Sequence, residues 1–260
     1  MTNLLRAEWI KIRSLRSFVA GLLLGALGVL SCNVNAVIAD RSPHRGVRLL
    51  GGGGVFTNDA HIVVLYLFGS IGAMVMVSEY GSGLIRTTFT AVPARTEVLA
   101  AKAIVVAAVT AFAGLVTYVV SLIVTLILAG QHRFPSVLLH DADFHRAMAA
   151  SILLFPLSAL TGLGVGVVVR HTATTIVAVS VLLVLLPTFV TSQKRAWVND
   201  LHNATPFAAW QRLTLGRLNG WRPGDGGFAN PTIGGSWLVY LLWPSIALLL
   251  ALLAIRRRDV

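Results

Sequence analysis

Residues 102–129 read KAIVVAAVTAFAGLVTYVVSLIVTLILA, and after Lys102 the run holds no charged side chain. A helix needs about 20 apolar residues to cross the hydrocarbon core of a bilayer. Five further stretches read the same way, at about 17–39, 59–78, 146–169, 174–191 and 237–255. Across the 260 residues, 56% are hydrophobic and only 12% charged. A soluble domain carries roughly a quarter charged residues, and its core could not hide this much apolar surface from water. The expectation is an all-α integral membrane protein, a single transmembrane domain over 1–260 with six spans.

Ahead of the first span, residues 2–16 read as an amphipathic helix lying on the membrane surface. Leu5, Trp9 and Ile12 follow one another at i, i+4 and i+7, with Arg6, Lys11 and Arg13 off that stripe and Trp9 suited to the headgroup level. The apolar run after it is long and has no clear small-residue cleavage site, so it reads as a retained anchor.

Six spans return the chain to the face on which it starts. The segments on that face carry 11 of the 21 Lys and Arg, in shorter stretches than the opposite loops. Basic density near span ends marks the cytoplasmic side, so both termini are expected there. The net charge of +11 is spread in short groups between apolar stretches, the pattern of membrane anchoring and not of a nucleic-acid surface.

Most of the chain reads only as membrane; residues 79–102, EYGSGLIRTTFTAVPARTEVLAAK, say more. Glu79 places a carboxylate at the end of the second span. Gly81 and Gly83 allow a sharp turn, LIRTTF can form one or two helical turns, and Pro93 stops them. The product is a short helix held between two turns and projecting below the membrane.

This segment resembles the loop after the second span in permease subunits of type-2 ATP-binding-cassette exporters. The matching positions are Glu79, Gly83, Leu84 to Arg86, Pro93, Arg95 and Lys102. The N-terminal LRAEWIKIRSLRS resembles that family's interfacial helix, with Glu8 and Lys11 in its Glu-x-x-Lys pattern. VVVRHTATT around Arg170 and the closing RRRDV are similar to two further family features. The resemblance implies a coupling segment, Leu84, Ile85, Arg86, Thr87, Phe89, Pro93 and Arg95, that docks on a separate nucleotide-binding ATPase subunit. It implies a second contact through Leu5, Trp9, Lys11 and Ile12, and a transmission role for Glu79, paired with a nearby Arg; the alternative for Glu79 is a solvated charge at a helix end. ATP and Mg would sit on the partner ATPase, with no cofactor on this chain. A second permease copy, identical or a sister, would complete the path in the plasma membrane.

No HExxH, GxSxG or Cys/His cluster occurs, so no catalytic or metal site is expected. Asn33 and Asn35 cost more to bury than the hydroxyls at span depth and are the candidates for lining a path or joining helices. Gly21 with Gly25, and Gly162, Gly164 and Gly166, allow close helix contacts, and Pro156 and Pro187 suit kinks. His61 reads as interfacial. Residues 192–236 are too long for a simple connection; Trp197, Trp210 and Trp221 suit an aromatic belt, and PFAAWQRLTLGRL an outer amphipathic helix. The functional expectation is the transmembrane subunit of an ATP-driven exporter of a drug-, peptide- or lipid-like compound. An ion-gradient carrier and a membrane-embedded enzyme are the alternatives.

Overall fold

The computed structural model describes residues 2–39, 55–84, 95–129, 142–190, 196–214 and 232–257. Among them there is no strand, and six helices are long and apolar enough to cross a membrane. Helix α1 (Thr2–Ser14) precedes spans one, α2 (Arg16–Ala39), two, α3 (Asn58–Gly81), three, α4 (Arg95–Ala129), and four, α5 (Ala142–Val169). Span five is α6 (Thr172–Ser180), a π-helical stretch Val181–Leu185, and α7 (Leu186–Phe189). Two short helices follow, α8 (Ala196–Asn203) and α9 (Pro206–Thr214), before span six, α10 (Ile233–Arg257).

Span three differs most from its expected bounds. It begins at Arg95, so Lys102 lies two turns inside the helix and does not open it. A start at Lys102 treats a charge as a boundary, but a charge can lie deeper when it is paired. In span five, the Leu186 N–H reaches back to the Val181 carbonyl, a one-residue widening of the helix. Pro187 follows directly and has no N–H to give. Pro156 lies inside the continuous α5.

Spans two and four form the centre. About two-thirds of each apolar window is buried in the protein (67% and 61%), against 17–28% for the other four spans. Those four surround the pair and turn apolar residues such as Leu24, Phe112, Val177 and Leu241 outward, as lipid requires. Lipid tails are as apolar as leucine, so helices meet here through close packing and polar bonds. Small residues supply the closeness. A β-carbon at Gly25 would meet the Phe68 ring at 2.7 Å, and one at Gly164 the Ala247 backbone at 2.6 Å. Phe68 in turn meets Phe155 edge-on, with ring centroids 4.4 Å apart. The hydroxyls of Ser158 and Thr161 bond to carbonyls one turn back in their own helix, each at 2.7 Å.

Helices α8 and α9 cap the end of the bundle opposite the termini. Arg212 holds this cap, bonding Ser236 Oγ at 2.9 Å, Asn203 Oδ1 at 2.8 Å and the Asn203 carbonyl at 2.8 Å. Burial draws its guanidinium down to about 10, still charged at neutral pH. Trp243 Nε1 donates to the Ala204 carbonyl at 2.7 Å and Arg146 Nε to the Leu213 carbonyl at 3.0 Å. The aromatic-belt reading therefore fails for Trp210, which is 2% exposed and donates to Ser151 Oγ at 3.3 Å. Trp197 is outward-facing, and Trp221 lies outside the described residues. His61 is not interfacial either: it is fully buried, stacked on Trp210 with ring centroids 4.6 Å apart. His61 near a span end and Trp210 in the connection between spans five and six both look like edge groups in the sequence. The folded-back cap covers them.

Candidate functional site

Four charged side chains meet at the termini face, where α1, the end of span two and span three come together. Lys102 Nζ lies 2.6 Å from Glu8 Oε2 and 2.8 Å from Glu79 Oε1. Lys11 Nζ lies 2.9 Å from Glu8 Oε1 and 3.4 Å from Glu79 Oε1. Two ammonium groups and two carboxylates balance, so no net charge is left around the three buried members, Glu8, Glu79 and Lys102. The Lys102 and Glu8 side chains are 1% and 2% exposed, and Lys11 is the member open to solvent.

Local sequence explains how each group arrives. In α1, Glu8 and Ile12 are buried, Leu4 and Leu5 pack on the core, and Glu8 stands three residues before Lys11. That i,i+3 spacing places both side chains on one face. Trp9 departs from the expected stripe: Leu5 and Ile12 turn to the protein, while Trp9 is half-exposed on the flank beside the exposed Ile10. Lys102 has a long apolar stem, and burial of Val98, Leu99, Ala101 and Val105 carries it against the neighbouring helices.

Glu79 lies in the last turn of span two. The helix ends just beyond it, with the Ser82 N–H on the Ser78 carbonyl at 3.0 Å and Gly83 at a φ of +73°. That backbone angle suits glycine and turns the chain out of the helix. The expected Arg partner of Glu79 is replaced by two lysines. Arg170, in the turn between spans four and five, places its guanidinium 5.0 Å from the centroid of the ring of Tyr80, the residue after Glu79.

The cluster stands at the root of the 84–95 segment. Leu84 leaves span two and Arg95 enters span three, and both ends hang from helices that the four charges tie to α1. From Arg95 to Lys102 the third helix extends about 10 Å beyond the cluster, at 1.5 Å per residue. Ile85, Arg86, Thr87, Phe89 and Pro93 lie outside the described residues.

The path candidates separate. Asn33 is buried and uses both ends of its amide. It donates to Ser121 Oγ at 3.2 Å and accepts from the Thr57 N–H at 3.2 Å and the Thr57 hydroxyl at 3.4 Å. Thr57 caps span two by accepting from the Ala60 N–H at 3.2 Å. Asn33 thus joins spans one, two and three away from the termini face. Asn35 lies on the outward surface of span one.

Burial alone would raise the Glu8 carboxyl, but Lys102 and Lys11 outweigh it and hold the group below its ordinary value of 4.5. Burial would lower Lys11, but Glu8 and Glu79 hold it above its ordinary 10.5. A depressed carboxyl stabilises the fold above its ordinary range and loses that contribution as pH falls through the folded value. A raised ammonium loses its contribution only as pH climbs through the folded value. The expected melting temperature of the purified chain is therefore flat across neutral pH and falls below about 4.5. Glu8→Gln should shallow that acid limb. An identical limb in the variant would show that other groups govern it.

The sequence pattern described as ABC-2 family transporter protein matches residues 4–194, well over half of the chain. Its bounds take in α1, the four-charge cluster, the 84–95 segment and the first five spans. No curated protein matches the chain.

Proposed function

Because this chain belongs to the ABC-2 transporter family, as the membrane-spanning permease part of an ABC transporter, we propose that it exports an apolar or amphipathic compound, driven by separate ATPase subunits. The termini would face the cytoplasm of the cell in whose plasma membrane the permease sits. The ATPases would bind Mg and ATP beneath it, and a second permease copy would complete the path. The observation that carries this reading is the buried four-charge cluster joining α1, span two and span three at the root of the 84–95 segment.

A partner gripping that segment would apply force between Leu84 and Arg95. Flexible roots would absorb it. Here both roots and the surface helix are tied by charge-assisted bonds in a place with little water to compete for them, so the spans would move with the segment. Arg86 and Arg95 would meet acidic groups of the ATPase, and α1 would offer a second contact through Leu5, Trp9, Lys11 and Ile12. The enclosing wall would be apolar, which suits drug-, peptide- or lipid-like cargo better than a small ion.

The test is to replace residues 84–90 with a Gly/Ser linker, or to make Arg86→Glu, in the assembled transporter. ATP-driven transport should fall by about tenfold or more, as expected from losing a charge-assisted contact or two. Membrane insertion and the quantity of permease should not change. Unaltered transport and unaltered ATPase co-purification would sink the coupling assignment. Transport that survives loss of the partner's hydrolysis but stops with an uncoupler would instead point to an ion gradient.

A further inference from the structure

Helix α1 is held to the bundle by one stripe, Glu8 and Ile12 with Leu4 and Leu5, and this leaves a flank uncovered. Arg6, Trp9 and Arg13 follow one another there at i, i+3 and i+7, the spacing that puts side chains on one side of a helix. Trp9 is 50% exposed and Ile10, beside it, 66%. Arg6 and Arg13 are exposed as well. Lys11 lies across the buried stripe from them, turned to the carboxylates of Glu8 and Glu79. The flank runs on into span one, for the chain passes from Ser14 through Leu15 to Arg16, the first residue of α2. Arg16 is exposed and heads the outward line of that span, with Val19, Leu23 and Leu27 following it. Those apolar side chains face lipid, so Arg16 stands where hydrocarbon gives way to headgroups. Among the described residues, none of the three arginines pairs with a carboxylate.

A basic face that meets only water has no use for an exposed tryptophan and isoleucine among its arginines. An indole suits the headgroup layer, with an apolar body and a polar N–H. A guanidinium fork matches two phosphate oxygens at once. Any bilayer would bring headgroups to this flank, and three uncompensated charges decide which kind. We propose that Arg6, Trp9, Arg13 and Arg16 form a binding surface for anionic phospholipid headgroups in the leaflet on the termini face, with Trp9 and Ile10 sunk between the lipids. A zwitterionic headgroup carries a cation of its own and gains less from the same arginines. The lipid fastens α1 to the membrane on one flank, while the four-charge cluster fastens it to the bundle. An ATPase contact with α1 then narrows to the Lys11 flank, and Trp9 belongs to lipid. The surface is a property of the lone chain and stands whether or not the chain exports anything.

Brominated lipids test this on the full chain in nanodiscs, since bromine high on an acyl chain quenches a nearby tryptophan. Two sets of discs hold the same minority of phosphatidylglycerol in phosphatidylcholine and the same amount of bromine. In one set the bromine is on the phosphatidylglycerol, in the other on an equal amount of the phosphatidylcholine. The Trp9 signal is that of the wild-type chain less that of Trp9→Phe. Both sets should quench it, the brominated phosphatidylglycerol about twofold more, as expected when attraction to basic residues enriches a minority anionic lipid. Arg6→Gln, Arg13→Gln and Arg16→Gln together should make the two sets equal. Arg256→Gln with Arg257→Gln, at the same end of the bundle, should leave the excess whole. The proposal is overturned if neither lipid quenches Trp9, which would give the flank to a protein partner, or if both quench it equally. It is overturned too if the excess survives the three α1 changes, or falls as far with the two at the end of α10. Should the α1 variant fail to insert, high salt on the wild-type chain takes its place. Salt should shrink the excess, and an excess that salt leaves untouched overturns the proposal.

Discussion

Lys102→Met is expected to destabilise the purified chain by about 3–5 kcal/mol, the cost of breaking a buried ion pair from one side. The lysine is the only member of the cluster that contacts both carboxylates from inside the protein, at 2.6 and 2.8 Å. Without it, Glu8 and Glu79 face each other with Lys11 alone to balance them. Lys11 is partly solvent-exposed and reaches Glu79 only at 3.4 Å. Like charges in a poorly solvated place disfavour ionisation, so one carboxyl would take up a proton or α1 would leave the bundle. Melting temperature followed by fluorescence-detected gel filtration reads this directly.

The companion variant Lys102→Met with Glu79→Gln restores charge balance, leaving the Glu8–Lys11 pair intact. It should recover most of the lost stability, and the non-additivity of the two changes measures their coupling. A single variant as stable as the wild type would show that α1 is held by apolar packing alone. If the balanced double variant folds but transports poorly in the assembled system, the cluster serves force transfer as well as assembly.

The second large effect lies at the centre of the bundle. Gly72→Ala and Gly162→Ala should each cost about 3 kcal/mol, at the upper end of overpacking penalties. A β-carbon at Gly72 would run into the carbonyl of Ala159, ending 2.6 Å from its carbonyl carbon. One at Gly162 would run into the carbonyl of Gly69, ending 2.7 Å from its carbonyl carbon and 3.1 Å from the Ala73 nitrogen. These are backbone neighbours and cannot rotate away as a side chain can. Spans two and four must part, and in lipid the dispersion attraction between their surfaces is much of what holds them together. Gly81→Ala is the control, since nothing lies within 4 Å of its added carbon. Equal stability of all three variants would mean that spans two and four are not packed this closely.

Much of the site is visible in the residues without being connected. Glu8, Lys11, Glu79 and Lys102 all stand at positions of the resemblance, but no spacing says that residues 94 apart in the chain share a bond, as Lys102 and Glu8 do. A lysine two turns inside an apolar helix is the available signal, because such a charge needs a partner. Gly21, Gly25 and Gly162–Gly166 are legible as close-packing positions, and each does meet a neighbouring helix. Gly72 is not, since it lies in an ordinary apolar run. Arg212 and Trp210 read in the sequence as parts of an outer amphipathic helix, and only the fold turns that helix into a cap.

Apolar runs of sufficient length determined by themselves that this chain crosses a bilayer as six helices. That choice needs nothing beyond the segment itself, because each span satisfies its own backbone and dissolves its own side chains in lipid. Which spans form the centre, which charges pair and what the cap covers were decided by tertiary structure. All six spans are nearly equal in hydropathy, 2.0 to 2.5. Apolarity therefore cannot rank them; steric fit at single glycines and neutralisation of a few buried charges do.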